Sequence, residues 1–187
     1  MQIIDVSSPH YDDRPAGVEI SLVVIHSISL PPGEFGNGRV IDFFRGCLPV
    51  NEHPYFQKIA ALKVSTHYFI DRAGAVVRFV PELKRAWHAG VSRFGGRENC
   101  NDFSLGIELE GDDFHPFTPV QYDMLNRLLA DIGRRYLQVS RERIVGHADI
   151  APGRKTDPGP FFDWDRVNSG LSPASPGAVP DVYRTKN

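Results

Sequence analysis

Ser21-Leu22-Val23-Val24-Ile25-His26 is a short apolar run rich in β-branched residues, the composition of a strand buried on both faces. Leu30-Pro31-Pro32-Gly33 then breaks the chain, which places His26 at the end of a core strand. Side chains at such an exit tend to serve function, though a single histidine there is more often structural. Two further stretches read as strands. Val64-Ser65-Thr66-His67-Tyr68-Phe69-Ile70 and Ala75-Val76-Val77-Arg78-Phe79-Val80, joined by Asp71-Arg72-Ala73-Gly74, form a hairpin with a glycine-bearing turn. Phe103-Ser104-Leu105-Gly106-Ile107-Glu108-Leu109-Glu110-Gly111 alternates, so Leu105, Ile107 and Leu109 face the core while Glu108 and Glu110 share the other face. Periodicity alone does not choose between those two carboxylates.

Thr118-Pro119-Val120-Gln121 has the pattern of a helix start, with Thr118 as N-cap, Pro119 at the first helical position and Gln121 placed to close a capping box. Leu125, Leu128, Leu129, Ile132 and Tyr136 follow at helical spacing and predict a core-facing scaffold helix. Residues 1–20, with Pro9, Pro15 and Gly17 among polar side chains, are expected to form an irregular lead-in. The segment 31–62 is rich in Phe, Pro and Gly and should hold only short helices. Long irregular segments in compact domains usually serve as binding loops or lids, so part of it is expected to border a ligand and to move. Phe161-Phe162-Asp163-Trp164 is expected to open a short final helix. From Ser169 onward Ser, Pro and Gly dominate, which divides the chain into one domain, 1–168, and a disordered tail, 169–187.

The loop Gly146-His147-Ala148-Asp149-Ile150-Ala151-Pro152-Gly153-Arg154-Lys155-Thr156-Asp157-Pro158-Gly159-Pro160 gathers an imidazole, a lysine and a carboxylate in a segment stiffened by proline and glycine. Pro158 pushes Asp157 toward an extended conformation, and alternation in an extended chain points Lys155 and Asp157 the same way. A carboxylate ligand would then stand beside a cation able to stabilise an oxyanion, with His147 as a nitrogen ligand. A catalytic zinc needs three protein ligands and an open position, so a second imidazole must come from elsewhere. The competing reading is a solvated turn with chance charges. His67, and His88 beside Trp87, are further imidazoles, and Trp87 reads equally as core or as a site wall.

The 187 residues, 41% hydrophobic and 24% charged, suffice for one domain with a substantial core. A formal charge of -2 and a pI near 6.4 argue against nucleic-acid or anionic-membrane partners. No stretch reaches the length of a membrane span, and Met1-Gln2-Ile3-Ile4-Asp5-Val6-Ser7 lacks a basic start followed by an apolar run. Cys47 and Cys100 stand far apart, outside any metal-ligand spacing. A cytoplasmic protein with ordinary thiols is therefore expected.

Five stretches taken together carry more than any one of them. They are Val24-Ile25-His26-Ser27-Ile28-Ser29-Leu30-Pro31-Pro32-Gly33, His53-Pro54-Tyr55-Phe56, Ala86-Trp87-His88-Ala89-Gly90, the strand 105–111 and Lys155-Thr156-Asp157-Pro158-Gly159-Pro160. In this order they resemble the type 2 N-acetylmuramoyl-L-alanine amidases of the peptidoglycan-recognition superfamily, over residues 7–167. The resemblance implies an α+β fold in which a central mixed β-sheet is flanked by helices and carries zinc in a groove on one face. It implies His26, His147 and Asp157 as ligands of Zn2+, Glu108 and not Glu110 as the catalytic carboxylate, and Lys155 as the cation at the scissile carbonyl. The implied activity is that of a 1,6-anhydro-N-acetylmuramyl-L-alanine amidase in cytosolic peptidoglycan recycling, hydrolysing the amide between the sugar acid and the L-alanine of the stem peptide.

The implied partner is a small anhydro-muropeptide, with Lys63, Trp87, His88 and Arg97 as candidate contacts, and a monomer is expected. Ser27, Lys63 and Asn99 depart from residues common in the family and bear on stem-peptide recognition rather than on the zinc chemistry. Thr66 stands where phage-lysozyme-type members carry a catalytic tyrosine, which favours Glu108 as the working group. Two rivals follow from the same resemblance. A non-catalytic peptidoglycan-binding module is disfavoured by the presence of all five site residues, and an amidase acting on intact wall by the N-terminal sequence.

Overall fold

The computed structural model describes residues 1–167. In chain order the elements begin with β1 (Ile3–Asp5), β2 (Tyr11–Asp13) and β3 (Leu22–Ile28), then two short helices, α1 (Arg39–Phe44) and α2 (Pro54–Ile59). The strands β4 (Tyr68–Ile70), β5 (Val76–Arg78), β6 (Lys84–Ala86), β7 (Arg93–Phe94), β8 (Arg97–Glu98) and β9 (Ser104–Glu110) follow. Helix α3 (Pro119–Arg135), strand β10 (Ile144–Gly146) and the single-turn helix α4 (His147–Ile150) complete the domain. Six strands form one sheet in the order β1-β5-β4-β9-β3-β10. Only the β4–β5 hairpin is antiparallel. The expected mixed sheet with flanking helices is therefore present.

The two central strands set the site. In β3 and β9 the register pairs Ile25 with Ile107 and His26 with Glu108, so the period of two sends each pair to one face. On one face Val23, Ile25, Leu105, Ile107 and Leu109 pack against Leu125, Leu128, Leu129 and Ile132 of α3. Each such fully buried side chain contributes about 1.5–3 kcal/mol of transfer free energy. His26 and Glu108 project from the opposite face, beside Leu22 and Val24, which pack with Ala89, Cys100, Phe103 and Ile150. That face lies away from the scaffold helix. The helix cap is as expected, with Thr118 Oγ1 accepting from Gln121 N at 3.3 Å and Gln121 Oε1 accepting from Thr118 N at 3.0 Å. Gln121 Nε2 also donates to Ile70 O and Glu110 O, tying the helix start to the ends of β4 and β9.

Four expectations need correction. His26 is not the last residue of its strand, because Ser27 and Ile28 continue β3 beside Leu109 and Glu110. The first hairpin strand starts at Tyr68 rather than at residue 64. Phe161-Phe162-Asp163-Trp164 opens only a 3-10 turn, Trp164–Arg166. Residues 1–20 are not an irregular lead-in: β1 closes one sheet edge beside β5, and β2 pairs with β6. Three-residue edge strands are held by backbone pairing and leave no alternation to read. Arg14, from the same stretch, donates to the carbonyls of Glu82, Asn101, Asp102 and Ser104.

Segment 31–62 does hold only short helices. Its Val40, Phe43, Phe44, Phe56 and Ile59 are buried with Phe69, Val77 and Phe79 of the sheet region, so moving it as one body would break an apolar cluster. The tail expected at 169–187 lies outside the described residues. Among the described residues, no helix is long and apolar enough to cross a membrane.

Candidate metal centre

Three chain segments meet above the His26 face of the sheet. β3 delivers His26, the junction of β10 and α4 delivers His147, and the turn before Pro158 delivers Asp157. The last two are locked together by Ala148 N donating to Asp157 O at 3.0 Å. Gly146 makes this possible, since a Cβ there would stand 2.8 Å from the Pro158 ring. Lys155 and Asp157 lie outside any strand, and Asp157 sits in the turn that Pro158 continues. His26 Nδ1 lies 2.9 Å from His147 Nδ1, and Asp157 Oδ2 lies 3.0 Å from each.

The donor set suits a divalent cation. His147 Nε2 is 3.0 Å from Ala89 O, and a carbonyl only accepts, so in the neutral ring Nε2 holds the hydrogen and Nδ1 presents its lone pair. Electron pairs on two nitrogens and a carboxylate oxygen thus converge, which requires positive charge between them. Tetrahedral bonds of about 2.0–2.2 Å separate neighbouring donors by about 3.3–3.6 Å, so a small outward shift from the 2.9–3.0 Å seen here admits the ion. Among the described residues, His26, His147 and Asp157 form the group able to hold a metal ion.

Burial lowers the pKa of His26 to about 4 and that of His67 to about 3, and holds His88 well below the usual imidazole value. Burial pushes the Asp157 carboxyl up, but the neighbouring His147 and His26 imidazoles outweigh this and hold it below the usual carboxylate range. Ligands in the deprotonated state are what a metal binds. The three depressed imidazoles also predict acid lability. Their folded pKa values lie below the unfolded value of about 6.5, so the stability they confer is complete above that pH and falls as pH drops toward the folded values. Each should remove about 1.4 kcal/mol per pH unit in that window. Melting curves of chelator-treated protein at pH 7.5, 6 and 5 should show a falling Tm, and a constant Tm would contradict the neutral, buried state of these rings.

The structure separates the two carboxylates that alternation left equivalent. Glu110 accepts from Gly36 N at 2.6 Å through one oxygen and from Arg72 N at 3.1 Å through the other, which anchors two loops. Glu108 Oε1 lies 4.0 Å from His26 Nδ1, and its buried Oε2 has no hydrogen-bond partner. Burial first, and then the Asp157 charge, raise its pKa well above the usual carboxylate range, while Lys155 opposes the shift. A carboxylate with a free oxygen beside the three converging donors is equipped to take and return a proton.

The family model for N-acetylmuramoyl-L-alanine amidase matches residues 16–160. The chain belongs to the N-acetylmuramoyl-L-alanine amidase family. It is 52% identical to the 1,6-anhydro-N-acetylmuramyl-L-alanine amidase AmpD of Haemophilus influenzae, across 89% of this chain and 90% of the relative. The crystal structure of a selenomethionine derivative of AmpD superposes with a TM-score of 0.87 at 50% identity, covering 91% of this chain and 94% of that one. The Escherichia coli amidase AmiD, in complex with anhydro-N-acetylmuramic acid-L-Ala-D-gamma-Glu-L-Lys, matches with a TM-score of 0.61 at 31% identity, covering 90% of this chain and 63% of that one.

In this amidase the other candidate residues fall into two groups. Lys155 is exposed, and its charge acts on both His26 and Glu108. Lys63 and Arg97 are exposed, the latter with its guanidinium 4.0 Å from the centre of the Phe103 ring. Trp87 is half-buried, stacked on His10 and donating from Nε1 to Asp12. His88 differs from these: it is 8% exposed and turned inward, with Nδ1 2.9 Å from His26 Nε2 and Nε2 3.0 Å from Ser104 Oγ. Reading the sequence alone missed Ser104, Asn101 and Gly106 as parts of the site. Gly106 carried a signal, because glycine inside a strand often marks a close approach. A Cβ there would stand 2.5 Å from the His88 ring.

Proposed function

We propose that this chain is a zinc-dependent 1,6-anhydro-N-acetylmuramyl-L-alanine amidase of cytosolic peptidoglycan recycling. One observation carries the reading: three ligand atoms of His26, His147 and Asp157 stand within 3.0 Å of one another, and the His26 nitrogen among them is 4.0 Å from Glu108, a buried carboxylate with an unused oxygen. The 52% identity to an enzyme named for this activity supports the substrate class, as does the anhydro-muropeptide bound by AmiD at 31% identity.

His26, His147 and Asp157 would hold the zinc, which when bound supplies Lewis-acid polarisation of an amide carbonyl and acidifies water. Glu108 Oε2 accepts the proton of the attacking water. Its raised pKa lets it keep that proton long enough to pass it to the departing L-alanine nitrogen, so that C–N cleavage releases a neutral amine. The Lys155 ammonium opposes the negative charge that grows on the carbonyl oxygen. Lys63 and Arg97, exposed and cationic, are suited to the carboxylates of the stem peptide, and Trp87 offers an aromatic surface to the sugar.

Lys155→Ala is expected to lower kcat about a hundredfold to a thousandfold with zinc retained, the usual cost of removing one preorganised electrostatic group. Stopped assays with metal analysis on the same sample would test this. The proposal itself is tested by mass spectrometry of anhydro-muropeptide digests and of intact sacculi. Release of stem peptide from the anhydro-muropeptide, much faster than from sacculi and abolished by chelation, is expected. An uncleaved amide would leave a peptidoglycan-binding module, and equal rates would move the enzyme to the intact wall.

A further inference from the structure

We infer that the segment Trp87-His88-Ala89 is a bracket that orients both imidazole ligands of the proposed zinc site, and that Asn101 is the positioning residue that clamps it. The inference rests on His26 and His147 as ligands. Its first arm is the His88 side chain, whose Nδ1 is 2.9 Å from His26 Nε2 and whose Nε2 is 3.0 Å from Ser104 Oγ. The second arm is the neighbouring main chain, where Ala89 O accepts from His147 Nε2 at 3.0 Å and from Arg154 Nη2 at 2.7 Å. Two consecutive residues therefore reach the outward nitrogens of both rings.

With both Nδ1 atoms facing a cation, the Nε2 hydrogens must be taken up on the far side. His26 Nε2–H donates to His88 Nδ1, and His88 Nε2–H donates to Ser104 Oγ. His147 Nε2–H donates to the Ala89 carbonyl. Partners of this kind fix ring rotation and tautomer and raise the basicity of the ligand nitrogen. The bracket has its own support. Asn101 Oδ1 accepts from the backbone N–H of His88 at 3.1 Å and of Ala89 at 2.8 Å. Gly106 opens the sheet face for the His88 ring, which a Cβ would meet at 2.5 Å. Asn101 touches neither ligand, so its effect must pass through residues 88 and 89.

The test is zinc affinity, measured by competition with a chromogenic chelator, together with the visible d–d spectrum of the cobalt-substituted protein. Asn101→Ala should weaken zinc binding about tenfold to a hundredfold, the usual range for outer partners of metal ligands, and should alter the cobalt bands. Asn101→Asp keeps an oxygen acceptor in place and should restore both readouts, which a general loss of packing would not. Ser104→Ala removes one hydroxyl from a central strand and decides the matter should Asn101→Ala not fold, with weaker binding again expected. Wild-type zinc affinity and cobalt spectra in Asn101→Ala and Ser104→Ala would overturn the bracket. A wild-type protein that takes up no zinc, or a His26→Ala protein that binds it normally, would instead overturn the metal site beneath it.

Discussion

Glu108→Gln is expected to keep zinc at one equivalent while turnover falls about 10²–10⁴-fold, the range ascribed to a positioned general acid–base group. The amide is close to the carboxylate in shape but cannot accept the water's proton at neutral pH. The same substitution should stabilise the metal-free protein. Burial and Asp157 hold the folded pKa of Glu108 well above the unfolded value, so its contribution is fully present below about pH 4.3 and is lost as pH rises through the folded value. Glutamine never ionises and escapes that loss. Chelator-treated Glu108→Gln should therefore melt above wild type at pH 8, with the gap closing at pH 4. Full turnover in the variant would remove Glu108 from the chemistry. A Tm difference that does not depend on pH would mean that the carboxylate is not strained by its surroundings.

His147→Ala should go further and lose both metal and activity. It deletes one of three donors spaced 2.9–3.0 Å apart and leaves the Ala89 carbonyl with Arg154 alone. Dialysed protein should carry zinc far below one equivalent, and hydrolysis of anhydro-muropeptide should fall to background. Wild-type protein stripped with chelator should regain turnover when zinc is returned, whereas the variant should not. Stoichiometric zinc with normal rates in His147→Ala would place the metal elsewhere.

What could be read in advance depended on how local each signal was. The capping box at Thr118 and Gln121 and the alternation through Leu105, Ile107 and Leu109 are written in adjacent residues, and both appear as expected. His26 and His147 are brought together by the pairing of β3 with β10, which no local pattern encodes. Family resemblance supplied the meeting of these two side chains, and it also chose Glu108 over Glu110. The physical basis of the choice lies in contacts from far along the chain, since the amides of Gly36 and Arg72 occupy both oxygens of Glu110, whereas Glu108 Oε2 has no partner. Family resemblance placed His88 among the candidate substrate contacts. It turns inward instead, against His26, Ser104 and the space left by the missing side chain at Gly106.

Arg14 gives the N-terminal stretch a bearing on catalysis that its sequence conceals. Its guanidinium gathers four main-chain oxygens, one of them from Asn101 itself. Trimming the first fourteen residues, a natural step in tidying an expression clone, would thus unfasten the turn under the proposed zinc ligands from a distance. An enzyme shortened in this way would also lose β1 from the sheet edge and β2 from its pairing with β6, and it should hold a metal at the proposed site more weakly.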